Sequence, residues 1–279
     1  MHTYSSVPAD EKTSIIPCPI CGNNEYKPYR EIPGAHFVQC RDCNHVFQNP
    51  QPVFEDLKKR YQEAYFQYEL ENEKNFFNLM LLGLEDIHFS EWEEPLRQAG
   101  AFLDVGCATG MLLGHMQNRG WKVQGVEICK SSALFGIRER GVPIFIGSLE
   151  EASFPPKSFS LVHSSHLIEH LQNPKDFISL LYDILIPRGQ AVLVTPNRGG
   201  FQARLLGKRW RSCIPDHLHL FSIPTLRTMV QERGFRVLHV QTWGGIAQGL
   251  VPRWIKNPVD RWAKKWGFGD VMLFHIEKI

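Results

Sequence analysis

Residues 101–110, AFLDVGCATG, limit the possible folds more than any other stretch of this chain. A short apolar run ends in Asp104, then come Gly106, Ala108 and Gly110, then the apolar MLLGHM. This order predicts a buried strand, a tight turn and a helix. Small residues in the turn let a ligand approach the backbone, and the helix start offers unpaired N–H groups. A dinucleotide fingerprint needs Gly-x-Gly-x-x-Gly. Here those positions are Gly106, Ala108 and Met111, so the third glycine is missing. A carboxylate at Asp104 repels a diphosphate and suits a ligand that carries positive charge.

The next apolar run, WKVQGVEI (121–128), ends in Glu127, 23 residues after Asp104. An acid at the tip of a second strand can accept both ribose hydroxyl hydrogens of an adenosine. Alone, Glu127 also fits a solvated strand end, but Asp104 and the glycine turn favour a ligand. S-adenosylmethionine fits the charges: a sulfonium, an ammonium, and one carboxylate for the helix start.

Three further segments extend the pattern: GSLEEASFPPKSFSLVHSSHLIEHLQNP, LIPRGQAVLVTPN and DHLHLFSIPTLRTMVQERGF. Over roughly residues 100–240 the chain resembles a class I S-adenosylmethionine-dependent methyltransferase. It is most similar to the bacterial small-molecule group that includes ubiquinone-type O-methyltransferases and sugar methyltransferases. The resemblance implies that Asp104, Gly106, Ala108 and Gly110 hold the methionine part and that Glu127 holds the ribose. It places Ser148 and Leu149 at the adenine and His166 beside the cofactor. The family usually has an acid at the Ser148 position; the Ser148 hydroxyl can still accept a hydrogen bond, and Leu149 offers its N–H and apolar contact.

Cys18, Cys21, Cys40 and Cys43 form two Cys-x-x-Cys knuckles. Two such pairs at this separation are a zinc signature, and four thiolates with no open position make a structural site. Reduced thiols or disulfides are the other readings, and disulfides conflict with a reducing compartment. The surrounding segment resembles the zinc ribbon that precedes the catalytic domain in some of these methyltransferases. So small a ribbon has too little core to fold without its metal.

The expected organisation is a flexible leader over 1–14, the ribbon over 15–50, a helical connector or lid over 51–98, and the methyltransferase domain over 99–279. The connector is acidic, which reads as a solvated helical face. The predicted fold class is α/β: a Rossmann-like, seven-stranded, mostly parallel sheet behind the small ribbon and connector. Its strands are expected at 101–105, 122–126, 142–146, 159–163, 190–195, 235–241 and 271–277. Helices are expected at 110–119, 129–140, 174–186 and 223–233, with Pro187-Arg188-Gly189 turning the chain into the fifth strand.

Methylating a hydroxyl needs a base for its proton, and histidine is suited to that near neutral pH. His166 and His170 follow the fourth strand; His217 and His219 lie in a second cluster, PDHLHLF. The resemblance gives the Glu169–His170 pair an active-site role, with a divalent metal as one form of it. A hydrogen-bonded pair that only shapes the loop is the other reading. His217 and His219 are expected over the acceptor pocket, or as residues that pin the lid.

Residues 200–270 contain twelve Lys/Arg and four Asp/Glu. This excess points to a small-molecule acceptor with anionic character, or to a plain solvated face. Trp243, Trp254, Trp262 and Trp266, interleaved with cations, allow peripheral membrane contact through 243–269, although core packing is favoured. No apolar run is long enough to span a bilayer, and the N-terminus has no secretory signal, which points to the cytoplasm. Two other functions stay open. One is an RNA methyltransferase that grips nucleic acid with the ribbon and the basic face. HSSH after the fourth strand lacks the Asn/Asp-Pro-Pro-aromatic motif of base-nitrogen methylators and speaks against it. The other is a cofactor-binding assembly protein without catalysis.

Overall fold

The chain's structure is a computed structural model that describes residues 11–60, 63–244, 263–264 and 266–279. The first part holds β1 (Thr13–Ser14), β2 (Tyr26–Ile32), β3 (Ala35–Cys40), β4 (Val46–Gln48) and β5 (Gln51–Pro52). Three helices follow: α1 (Phe54–Lys58), α2 (Glu63–Asp86) and α3 (Phe89–Ala99). Strands and helices then alternate as β6 (Ala101–Val105), α4 (Met111–Asn118), β7 (Val123–Glu127), α5 (Lys130–Arg140), β8 (Ile144–Ile146) and α6 (Leu149–Ala152). The chain continues with β9 (Phe159–Ser165), α7 (Pro174–Ile184), β10 (Leu185–Pro196), α8 (Phe201–Leu206), β11 (His219–Leu220), α9 (Ile223–Glu232), β12 (Phe235–Trp243) and β13 (Val271–Lys278).

The seven-stranded sheet has the order β12-β13-β10-β9-β6-β7-β8. β13 runs antiparallel to both neighbours, and the remaining pairs are parallel. β6 and β9 lie side by side, while the chain winds outward from β6 through β7 to β8 and from β9 to β10. Their carboxyl ends therefore open onto the crevice where such sheets bind ligands. Strands buried on both faces explain the continuous apolar runs: Phe102, Leu103, Val162, Leu193 and Phe274 are each at most 1% exposed.

The strands and helices fall where the apolar runs predict them. Most boundaries agree within two residues; the largest shift is at β10, which already pairs with β9 at Leu185 because α7 stops at Ile184. Pro187-Arg188-Gly189 interrupts that pairing as an irregularity within the strand, with Arg188 at φ +64°.

The ribbon is not a separate body. Its sheet has the order β11-β4-β3-β2, so the fourth strand comes from residues 219–220. One apolar cluster runs from Cys18, Val38 and Phe47 in the ribbon to Ile168, Phe221 and Leu226 in the larger domain. Of the expected leader, residues 1–10 lie outside the described residues, and Thr13–Ser14 pair with Gln51–Pro52. No described helix is long and apolar enough to cross a membrane.

Candidate active site

The turn after β6 is held in a shape that favours glycine. Gly106 and Gly110 have φ of +75°, and Ala108 between them has φ +46°. A Cβ on Gly110 would also stand 2.9 Å from Val142, so this position has no room for a side chain. Glu127 locks the turn from the next strand. Its two oxygens accept from Ala108 N–H at 2.9 Å and Cys129 N–H at 2.8 Å. One buried carboxylate thus ties together both loops at the crevice, with lone pairs left for further donors. Burial, opposed by these N–H groups, raises its pKa, and Asp104 adds to the rise. Asp104 lies beneath the turn, 3% exposed, and accepts from His163 Nδ1 at 2.7 Å. His163, the first residue of HSSH, is its partner across the β6–β9 pair.

Ser148 follows β8 and caps α6. Ser148 N–H donates to Glu151 Oε2 at 2.7 Å, and Glu151 N–H donates to Ser148 Oγ at 3.2 Å. The hydroxyl expected at the adenine is therefore already engaged in a capping box. Leu149 is 6% exposed and packs into the core.

Past β9 the chain turns sharply at His166, with φ +53°. The His166 side chain is 49% exposed, and its Nδ1–H donates to Glu169 Oε1 at 3.1 Å. Glu169 also accepts from Thr195 Oγ1 at 2.9 Å. Burial alone would raise the Glu169 pKa, but the His166 hydrogen bond and the nearby His170 and His217 hold it down to about 2. His170 Nδ1–H donates to Asp216 O and His217 Nδ1–H to Ser212 O, each at 2.8 Å. A carbonyl can only accept, so Nε2 is the basic nitrogen in both rings. Ligand atoms of Glu169, His170 and His217 lie within 4.8 Å of one another, a spacing one divalent cation could bridge. Glu169 of the expected Glu169–His170 pair stands at the centre of this cluster, and Thr195, which sequence spacing did not reveal, helps to fix it.

His219 departs from the expectation of a base over the acceptor pocket. It is 1% exposed, its Nε2–H donates to Leu171 O at 2.8 Å, and its Nδ1 faces His45 Nε2 at 3.0 Å. Both nitrogens are committed, and burial pushes its pKa down to about 4. His219 ties the ribbon to the loop that carries Glu169 and His170.

Cys18 Sγ lies 3.5 Å from Cys43 Sγ, and Cys21 Sγ lies 3.5 Å from Cys40 Sγ. All four sulfurs lie within 4.8 Å of one another. Zinc–sulfur bonds of about 2.3 Å in a tetrahedron separate the sulfurs by roughly 3.8 Å, so the set matches a zinc cage. Burial pushes Cys18 up to about 11, so a nearby cation is needed to keep that thiolate.

Glu73 of the connector faces inward, with its side chain 18% exposed, while Glu63 stays exposed and still reaches α5. Glu73 Oε2 accepts from Thr109 Oγ1 at 3.0 Å and from Arg140 Nη2 at 2.7 Å. Glu63 Oε2 accepts from Ser131 Oγ at 3.0 Å. Of the tryptophan group, Trp254 and Trp262 lie outside the described residues. Trp243 donates to Asp86 of α2, and Trp266 is 66% exposed. From the basic segment, Arg211 pairs with the buried Asp270 at 2.6 Å.

Acid should destabilise this fold in a defined window. Burial first, and neighbouring charges second, push His217 and His275 down to about 4. In the unfolded chain histidine titrates near ~6.5. The unfolded state therefore binds protons first, and stability present above that value is lost as pH falls toward 4. Glu69, pushed up to about 7 by burial, offsets part of this loss as it takes up a proton. His217, His219 and His275 together outweigh it, so melting temperature should still drop between pH 6.5 and 4. A flat profile across the acid window would contradict the buried neutral histidines.

The family model described as Methyltransferase domain matches residues 84–240. Among curated proteins the chain is similar to the mitochondrial ubiquinone biosynthesis O-methyltransferase of Schizosaccharomyces pombe. The two are 32% identical over 111 residues, 37% of this chain and 40% of that protein. The Arabidopsis thaliana counterpart is 30% identical over 192 residues, 61% of this chain and 58% of that protein. The matches thus span only 40% to 58% of these relatives' own length. Among solved structures, a SAM dependent methyltransferase from Archaeoglobus fulgidus superposes with TM-score 0.56 at 20% identity, covering 77% of this chain and 100% of that one. Geranyl diphosphate C-methyltransferase from Streptomyces coelicolor A3(2), determined with S-adenosyl-L-homocysteine, gives 0.51 at 16% identity over 71% and 82%. At such identities the likeness is one of fold.

Proposed function

The chain belongs to the methyltransferase domain family, and from that premise we propose that it methylates a hydroxyl of a small, quinone-like molecule with S-adenosylmethionine. The observation that carries this reading is a single crevice flanked by two devices. On one side Glu127 ties the Gly106–Gly110 turn to the loop after β7. On the other, the half-exposed His166 stands on the buried carboxylate of Glu169. The names of the relatives favour a small quinone-like acceptor over RNA and over a role without catalysis.

S-adenosylmethionine, when bound, supplies a methyl group on a positively charged sulfur. Gly106, Ala108 and Gly110 would cradle its methionine end, and Glu127 would accept from the ribose hydroxyls. Leu149 would contribute apolar contact at the adenine. Ser148 could still accept there through its second lone pair. Most of the rate would come from holding the acceptor oxygen in line with the methyl group.

The proton of the acceptor hydroxyl would pass to His166 Nε2. Nδ1–H is already committed to Glu169, so the ring has the right tautomer, and the carboxylate stabilises the imidazolium that forms. His170 is the second candidate and stands beside the same carboxylate; His217 would position it. His166→Ala should leave cofactor affinity within about threefold and slow transfer to a catechol-type acceptor by roughly a hundredfold. Unchanged turnover would remove His166 as the base.

We also propose that the four cysteines hold one structural Zn2+. With every position filled by sulfur, such an ion would have no part in the chemistry. Its task would be to fix the ribbon, and through β11 the wall that carries His217.

A further inference from the structure

The first half of α2 is fastened by one face to α5 and to the turn after β6. Glu63 binds Ser131, Phe66 packs on Phe135 with ring centroids 5.8 Å apart, and Glu73 binds Thr109 and Arg140. Positions 63, 66, 70 and 73 share a helical face. Glu69 sits at the edge of that face, between the anchors and half-buried. Tyr65, one turn earlier, donates to its carboxylate, while Glu127 and His166 face it from the ends of β7 and β9. Tyr68 on α2 itself also feels its charge. Glu69 lies between the Phe66 contact with α5 and the Glu73 bond to Thr109 of the turn, close enough to Glu127 and His166 to feel both charges.

We infer that Glu69 is the residue that tells the positively charged cofactor from its neutral-sulfur product, by presenting a carboxylate to the sulfonium side of the crevice. This rests on the methyltransferase reading. The other crevice acids are already engaged: Asp104 accepts from His163, and Glu127 accepts two backbone N–H groups. Burial and the charge of Glu127 push Glu69 up to about 7, with Tyr65 and His166 opposing. At neutral pH the empty crevice thus holds a carboxyl that is about half protonated. A cationic ligand favours the ionised form, so its binding sends that proton to solvent. S-adenosylhomocysteine lacks the methyl group and the sulfonium charge, and should shift the proton far less. By reciprocity, a tenfold change in the proton affinity of Glu69 on binding is a tenfold preference for the cation.

The test is calorimetry at pH 7 in two buffers of different ionisation enthalpy, on the full chain and on Glu69→Gln, with S-adenosylmethionine and S-adenosylhomocysteine. The wild type should release about half a proton on binding S-adenosylmethionine and much less with S-adenosylhomocysteine. Glu69→Gln should abolish the release and weaken S-adenosylmethionine about tenfold, while S-adenosylhomocysteine changes by no more than about twofold. A purely structural part in α2 would weaken both ligands alike. Equal weakening, or proton release that persists in Glu69→Gln, overturns the inference and leaves the methyltransferase reading standing. Wild-type protein that binds neither ligand overturns both.

Discussion

Cys40→Ser is expected to abolish binding of the proposed zinc and melt the ribbon. Cys40 is fully buried at the end of β3, so serine leaves a gap and a weak ligand in the cage. Structural zinc contributes on the order of 10–16 kcal/mol in small zinc domains, more than this ribbon's core can replace. The damage should spread. β4 pairs with β11, and Gln48 N–H donates to Leu218 O at 2.8 Å. Leu218 N–H in turn donates to Glu169 O at 2.8 Å, so two hydrogen bonds link β4 to the His166–Glu169 loop. Metal analysis should find less than half the zinc of the wild type. Hydrogen exchange should show lost protection at 217–221 as well as at 35–48. Full zinc content with unchanged protection would contradict a cysteine cage.

Glu127→Ala should abolish cofactor binding and lower stability together. The substitution strands the N–H groups of Ala108 and Cys129 in a buried site, at about 1–3 kcal/mol for each left without a partner. It also removes the carboxylate proposed for the ribose, where hydrogen bonds to a charged group contribute about 1.5–3 kcal/mol. Together these predict at least about a hundredfold loss of affinity in calorimetry, with a lower melting temperature. Glu127→Gln keeps the size and one acceptor and should fall between. Wild-type affinity in Glu127→Ala would reject the ribose assignment.

The α/β fold could be read from the chain because its signals are local. AFLD and KVQGVE are runs that each end in an acid, and the turn residues between them require positive φ. Such features need no knowledge of distant partners. The parts that could not be read depend on distant pairs. His219 is decided by His45, and β11 by β4, partners more than a hundred residues away in sequence. A two-residue strand has no periodicity to announce it. The acids of α2 show the same limit. Composition makes them a solvated face, but Glu73 meets Thr109 and Arg140, and only the docking of the helix reveals this. Asp104 was visible as a strand-end acid, yet its bond to His163 follows from the β6–β9 register. The Ser148–Glu151 box is different: its Ser-x-x-Glu spacing was present in the sequence and marks the start of α6.

The crevice between β6 and β9 should accept an adenosyl sulfonium and refuse a diphosphate. Crystals soaked with equal amounts of S-adenosylhomocysteine and NAD decide it. The adenosyl ligand alone should be found, with its ribose hydroxyls on Glu127 and its amino-acid end over the Gly106–Gly110 turn. NAD seated there, with S-adenosylhomocysteine shut out, would contradict it.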